Sequence, residues 1–454
     1  MATRRVAAVV LLCSAVSASA QTPDVRTTDA RITSTPPAGL ELAKQLSEQD
    51  RRDNLEALWR AIDVTYAQFE LKPVDWNDVG RRYRARLDEV GSDDGFYRLL
   101  LQMVGELKDT HSWLQNYREP PLPQVTSISL DLFQDKAYVV AVRAGSEADR
   151  AGVKPGSQVL AVDGMTPVDK MEALRPLLHG FSSERAFRRE AVRRLLAAEK
   201  PTPATVLLRT PNGETQTVQL AREPGPTARR PNLKLGFEPT RLADLEFGMH
   251  PSGVGYLHIP SFAPRADLDR EVDSALDAMR NAPGLVVDIR DNSGGFSHPW
   301  IVGRFLERRT QTTVSFIKNG AGHGALRSQL GFDGPTGPWQ YGGRVVLLVN
   351  DLTGSAADLF TTELRSSKQV TVLGSTTHGN LSGTAAYAVL TCNLIVRISN
   401  GYVADAGGRP VEVNGNVPDV VVEPTIEDLL AGRDRVLDAA IALLTGTSSP
   451  RLRR

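Results

Sequence analysis

Leu285-Val-Val-Asp-Ile-Arg-Asp-Asn-Ser-Gly-Gly295 and Arg344-Val-Val-Leu-Leu-Val-Asn-Asp-Leu-Thr-Gly-Ser355 follow one plan: a largely apolar run, then a polar loop ending in glycine. Runs this short and this apolar read as strands buried on both faces. Before the first lies Gly255-Tyr-Leu-His-Ile259, then Val272, Ala275, Leu276 and Met279 at helical spacing. After the second lies a helical pattern over 356–365, then Val370-Thr-Val-Leu373. Strand and helix in alternation predict an α/β sheet covered on both sides. In such sheets ligands favour the carboxyl ends of the strands, which is where the two loops begin.

Each loop has a chemical and a bland reading. In the first, Gly294 and Gly295 allow positive φ, so their N–H groups can converge on an oxyanion, or simply close a tight turn. In the second, Ser355 stands between Gly354 and Ala356 on a sharp passage into a helix. That geometry exposes a hydroxyl beside a helix N-terminus, where developing negative charge is favoured. An ordinary serine N-cap would look the same. A nucleophilic serine also needs a base.

Working outward, 454 residues correspond to about three domains. Hydrophobic residues at 41% and charged residues at 23% suit folded cores and argue against disorder. Lys plus Arg equals Asp plus Glu, 53 each, so no global charge draws the chain to nucleic acid. Arg4 and Arg5, an apolar stretch over 6–12 and Ala18-Ser-Ala20 read as a signal peptide, 1–20, of an exported, periplasmic or secreted protein. The apolar stretch is too short to span a bilayer, so no stable membrane insertion is expected. Cleavage would remove both arginines and Cys13, leaving a faintly acidic chain whose only thiol is Cys392. No intramolecular disulfide could then form.

A linker over 21–40 precedes a helical region, 41–120, with Leu55, Leu58, Trp59, Ile62, Tyr66 and Phe69 at helical spacing. A β-rich module follows over 121–225, interrupted by an arginine-rich helix from Glu184 to Arg194 that reads as a solvated face rather than an anion site. The α/β region covers 232–446 and a basic tail 447–454. Of seven histidines none has metal-ligand spacing, and zinc's cysteine pair is absent, so neither metal nor cofactor is expected. His111 differs from the rest, because Leu107-Lys-Asp-Thr-His-Ser112 surrounds it with residues able to orient an imidazole.

These pieces, in this order, resemble peptidase family S41, which includes the C-terminal processing proteases and the tricorn core protease. Leu107-Lys-Asp-Thr-His111 is similar to its histidine motif, and Gly145-Ser-Glu-Ala-Asp-Arg-Ala-Gly-Val-Lys-Pro-Gly156 with Val162-Asp-Gly164 to a PDZ module. Val287 to Gly295 resembles the signature strand and glycine loop, Thr353-Gly-Ser-Ala-Ala-Asp358 the nucleophile motif, and Glu412 with Gly415-Asn-Val-Pro-Asp419 the closing motif. The resemblance implies a multidomain α/β protein: a helical start, a PDZ-like β module with a helical insertion, and a sheet-and-helix catalytic domain of the ClpP/crotonase type.

It also implies a serine peptidase acting on a peptide or polypeptide, with no oligomeric state specified. The processing branch carries its general base on a lysine 25 residues after the serine, where this chain has Asn380. An amide is no base at useful pH, and Lys368 lies about three helical turns from Ser355. The tricorn-like branch uses a histidine, matched by His111, preceded by a hydroxyl residue linked to a glutamate, matched by Thr110 and Glu412. Oxyanion donors would be the N–H groups of Gly294 or Gly295 and of Ala356, while His298 and His378 read as neighbouring surface or structural histidines. The candidate PDZ carboxylate loop, Ser129-Leu-Asp-Leu-Phe133, lacks glycine and carries Asp131, which disfavours capture of a free C-terminus. Two alternatives remain from other classes: an inactive S41 scaffold binding a peptide or small lipophilic ligand, and an interaction scaffold built on the PDZ-like module.

Overall fold

The computed structural model describes residues 30–119, 121–178, 180–223, 227–228 and 233–447. The signal-peptide reading, residues 21–29 of the first linker and most of the basic tail lie outside these residues; the rest of the expected linker opens with the strand Ala30–Thr33, which pairs with Ala385–Leu390 and buries Ala30 and Ile32 in the core of the helical region. Within them the chain forms four sheets and no helix long and apolar enough to cross a membrane.

The two diagnostic runs sit in the middle of a seven-stranded sheet, as Gly284–Asp288 and Arg344–Val349. Gly255–His258, Gly284–Asp288, Arg344–Val349, Val370–Gly374 and Val420–Val421 are parallel neighbours in chain order, and Leu245–Met249 and Thr240–Leu242 close one edge as an antiparallel hairpin. Alternation within a strand assigns the faces. Leu285, Val287, Val345 and Leu347 pack under helices Leu268–Ala278 and Ala356–Leu364, whereas Val286, Val346 and Leu348 meet the C-terminal helix Arg435–Thr445. Both faces are dry, which is why the runs carry so little polarity; each such side chain contributes about 1.5–3 kcal/mol over its exposed state.

The helices Glu48–Thr65, Trp76–Leu87 and Asp93–Gly105 share their core with strands from far along the chain. Leu58, Ile62, Phe96 and Met103 pack on Ala386, Ala388, Val396 and Ile398 of the hairpin Ala385–Leu390 and Ile395–Ser399. The short strand Trp113–Leu114 pairs directly with that hairpin, Leu114 opposite Val396 and Trp113 opposite Arg397. The segment carrying His111 is thereby anchored to the half of the chain that carries Ser355.

A five-stranded antiparallel sheet, with strands from Ile128–Phe133 to Thr215–Leu220, forms a separate core around Val139, Val159, Phe187 and Val206. Residues 129–133, expected as a loop, are inside the strand Ile128–Phe133, paired along its length with Lys136–Val142. The arginine-rich segment is the helix Glu184–Arg193, and its polar face is not simply solvated. Arg185 donates to the carbonyls of Thr377 and Asn414, and Arg189 pairs with both Asp131 and Asp351. Thr377, Asn414 and Asp351 belong to the loops around Ser355 and Glu412, and Asp131 to the strand Ile128–Phe133, so the helix faces protein rather than water.

Candidate active site

Ser355 enters by a strained turn. Beyond Arg344–Val349 the chain reverses through Asn350 and Thr353, each tied to the glycine loop: Asn350 Nδ2 donates to Asp291 Oδ1 at 2.8 Å and Thr353 Oγ1 to the Ile289 carbonyl at 3.0 Å. Gly354 N–H donates to the Asn292 carbonyl at 3.0 Å. Ser355 then has φ 55° and ψ −120°, a left-handed conformation that an L-residue adopts only under constraint. It precedes helix Ala356–Leu364, yet its side chain makes no capping hydrogen bond. The N-cap reading is thus set aside, and the hydroxyl is turned to another partner.

That partner is His111, whose Nε2 lies 3.0 Å from Ser355 Oγ. The base segment is fixed by Asp109, a fully buried carboxylate: Oδ1 accepts the His111 backbone N–H at 2.9 Å and Oδ2 the Ser112 hydroxyl at 2.6 Å. Arg397 donates to the His111 carbonyl and lies over the Trp113 ring. Removal from water pushes the imidazole down to about 4, against the pull of Asp109, with Arg397, Lys72 and His378 adding to the depression. The ring is therefore neutral at ordinary pH, the state in which Nε2 can accept a proton.

Glu412 is also fully buried, but its contacts differ from those expected. Its Oε1 accepts from Lys72 Nζ at 2.7 Å rather than from Thr110. The Thr110 hydroxyl instead meets Ser182 Oγ at 3.3 Å, and Ser182 stands close enough to Glu412 to favour its ionised form. Ser182 thus sits between the two residues the sequence paired. His111 Nδ1 and Glu412 Oε2 are both buried without a hydrogen-bond partner. Burial pushes Glu412 up to about 7, with Lys72 opposing and Asp109 reinforcing.

The glycine loop needs its glycines. A Cβ on Gly294 would lie 2.6 Å from the Gly354 carbonyl oxygen and 2.7 Å from Ala356 N, and one on Gly295 would lie 2.0 Å from the Phe262 carbonyl oxygen. Their roles separate, however. Gly294 N–H donates to Asn292 Oδ1 at 2.9 Å and is already engaged, so it is withdrawn as an oxyanion donor. Ser355 N–H is engaged too, by Asn380 Oδ1 at 2.6 Å. Gly295 and Ala356 are left, neither N–H having an acceptor among the described hydrogen bonds.

Residues 253–422 match peptidase family S41, and residues 47–105 match the tricorn protease C1 domain. The chain carries a peptidase family S41 domain over residues 253–422. It is 26% identical over 427 residues to tricorn protease homolog 1 of Streptomyces coelicolor, covering 88% of this chain and 35% of that one. It is 22% identical over 413 residues to the carboxyl-terminal-processing protease of a Synechocystis strain, covering 86% and 85%. The chain thus spans about a third of the length of the two Streptomyces tricorn homologues it matches. Among solved structures, mature CPAF superposes with a TM-score of 0.71 at 15% identity over 89% of this chain and 99% of that one, a likeness of fold.

Several contributors to the site around the S41 domain had no motif to announce them. Lys72 and Ser182 are single residues in unremarkable sequence, brought in from other parts of the fold. Asn380 was noted only as a missing lysine, whereas its amide holds the Ser355 backbone. Asp358, the last residue of the nucleophile motif, is buried and accepts from Thr377 Oγ1 and from the N–H groups of Gly379 and Asn380, fixing the loop that presents that amide. Of the two neighbouring histidines, His298 Nδ1 pairs with Asp269 at 2.9 Å, while the His378 backbone is held by Thr353 and Ser183.

Proposed function

We propose that the chain is an exported serine peptidase in which Ser355 is the nucleophile and His111 the general base. The 3.0 Å approach of His111 Nε2 to Ser355 Oγ carries this reading, together with the strained backbone that aims the hydroxyl. Ser355 Oγ attacks a peptide carbonyl as its proton passes to His111 Nε2. The oxyanion so formed faces the N–H groups of Ala356, at the positive end of helix Ala356–Leu364, and Gly295. The C–N bond breaks as His111 returns the proton to the leaving amine. Water then attacks the acyl ester, gives its proton to His111 and releases the acid, and Ser355 regains its hydrogen.

In this account Glu412 and Asp109 supply negative charge behind the imidazolium, and Thr110 acts through Ser182 rather than on Glu412 directly. The inactive-scaffold reading finds no support in the site, because a strained serine and a base within hydrogen-bond reach have no evident use in binding alone. The test is hydrolysis of an unfolded polypeptide by the purified chain. Cleavage by wild type and its loss in Ser355→Ala support the proposal, and equal cleavage by both would refute it.

A further inference from the structure

We infer that Lys72 is a positioning residue that keeps Glu412 ionised behind His111, a role that rests on the proposed peptidase. Lys72 lies in the turn after helix Glu48–Thr65, which is pinned to the far part of the chain by Ala67 N–H donating to the Ser399 carbonyl and Gln68 Nε2 to the Gly401 carbonyl. This delivers the ammonium, 340 positions from Glu412 in sequence, to 2.7 Å from Oε1, with the two side chains 3% and 0% exposed.

A buried ion pair of this kind gives little net stability over apolar packing of the same volume. Its effect here is on protonation. The groups facing Glu412 are Lys72 and Tyr66 from the helical segment, Ser182 from the five-stranded unit, and Asp109 from the base segment. His111 and Arg397 lie beyond Asp109. Lys72 is the cation in direct contact. With it, Glu412 and Asp109 leave the cluster with one net negative charge, which the imidazolium neutralises when His111 takes the serine proton. Without it, two carboxylates share an unsolvated site, and Glu412 takes up a proton well into the alkaline range. The net charge is again one negative, from Asp109, but a protonated Glu412 is no longer an acceptor-only partner for Ser182, whose hydroxyl meets Thr110, so the hydrogen-bond order beside His111 is lost at neutral pH.

The test combines activity with a readout independent of it. In Lys72→Met, kcat at pH 7 should fall about fivefold or more with KM unchanged, and recover as pH is raised, because moving a midpoint near 7 up by one pH unit cuts the ionised fraction at pH 7 from about a half to about a tenth. Lys72→Arg, which keeps the charge, should retain most of the activity. In Ser355→Ala protein, the carboxyl carbon-13 resonance of Glu412, assigned with Glu412→Gln, should titrate about one pH unit or more higher when Lys72→Met is added. An unmoved midpoint, or a loss of kcat that is equal at every pH and not restored by Lys72→Arg, would overturn the inference. Wild-type protein inert to a fluorophosphonate would overturn the peptidase reading instead, since the resonance titration does not depend on turnover.

Discussion

His111 Nε2 lies 3.0 Å from Ser355 Oγ although the two residues are 244 positions apart. Two local devices bring them together. The strand Trp113–Leu114 attaches the base segment to Ile395–Ser399, and the turn at Ser355 projects the hydroxyl out of the sheet.

The first prediction concerns pH. His111 is held down to about 4, so it is a free base across the neutral range, whereas Glu412 is held up to about 7 and ionises only there. If the ionised Glu412 supports the imidazolium, kcat/KM should rise with pH through a midpoint near 7. Glu412→Gln should lower the plateau and erase that limb, leaving a residual rate that falls only toward pH 4. A wild-type profile flat from pH 5 to 9 would contradict this.

A second prediction concerns strain. Ser355 occupies φ 55°, which costs a non-glycine residue about 1–3 kcal/mol. Ser355→Gly and Ser355→Ala both remove the hydroxyl, but only glycine relieves the backbone. Ser355→Gly should therefore be the more stable of the two by about 1 kcal/mol in denaturant unfolding, despite the larger entropy of its unfolded chain. Equal midpoints would mean that the turn is relaxed.

Asn380 provides a third. Its Oδ1 accepts the Ser355 N–H at 2.6 Å, and loss of such a bond in a buried setting costs about 1–3 kcal/mol. Asn380→Ala should slow acylation about 10- to 100-fold in pre-steady-state assays while the protein stays folded. Asn380→Lys, which places a lysine where the processing branch has one, should lose activity as well, because the site is built around His111. Peptidase activity in Asn380→Lys that survives His111→Ala would contradict this.

The fourth prediction concerns the helix Glu184–Arg193. Arg189 joins Asp131 of the five-stranded sheet to Asp351 of the nucleophile loop, with Asp131 only 1% exposed. Arg189→Ala should lower both stability and the rate of serine acylation, and adding Asp131→Asn should restore stability by removing the buried charge. Acylation would remain slow in the double variant, because Asp351 still lacks its cation. Full recovery of both would reduce Arg189 to a stability role.

The central sheet was legible in the sequence because strands covered on both faces are written as unbroken apolar runs, as in Val345 to Val349. Ser355, His111 and Glu412 were legible only through their motifs, since neither spacing nor composition brings residues 244 apart into contact. What sequence reading missed depends on tertiary placement. Lys72 and Ser182 reach Glu412 and Thr110 across packed units, and Arg189 gains its partners only when the five-stranded sheet lies against the nucleophile loop. Gly294 could be read as a donor from its residue type, but the turn spends its N–H on Asn292. The expected loop at 129–133 became a strand because alternate residues Ile128 and Leu130 face the local core.

The account depends on an activated serine, and the most direct measurement is stoichiometric labelling by a fluorophosphonate with the adduct mapped by mass spectrometry. The prediction is one adduct per chain, on Ser355, absent in Ser355→Ala and lost or greatly slowed in His111→Ala. Labelling that persists in Ser355→Ala, or a folded wild-type chain that does not react, would contradict it.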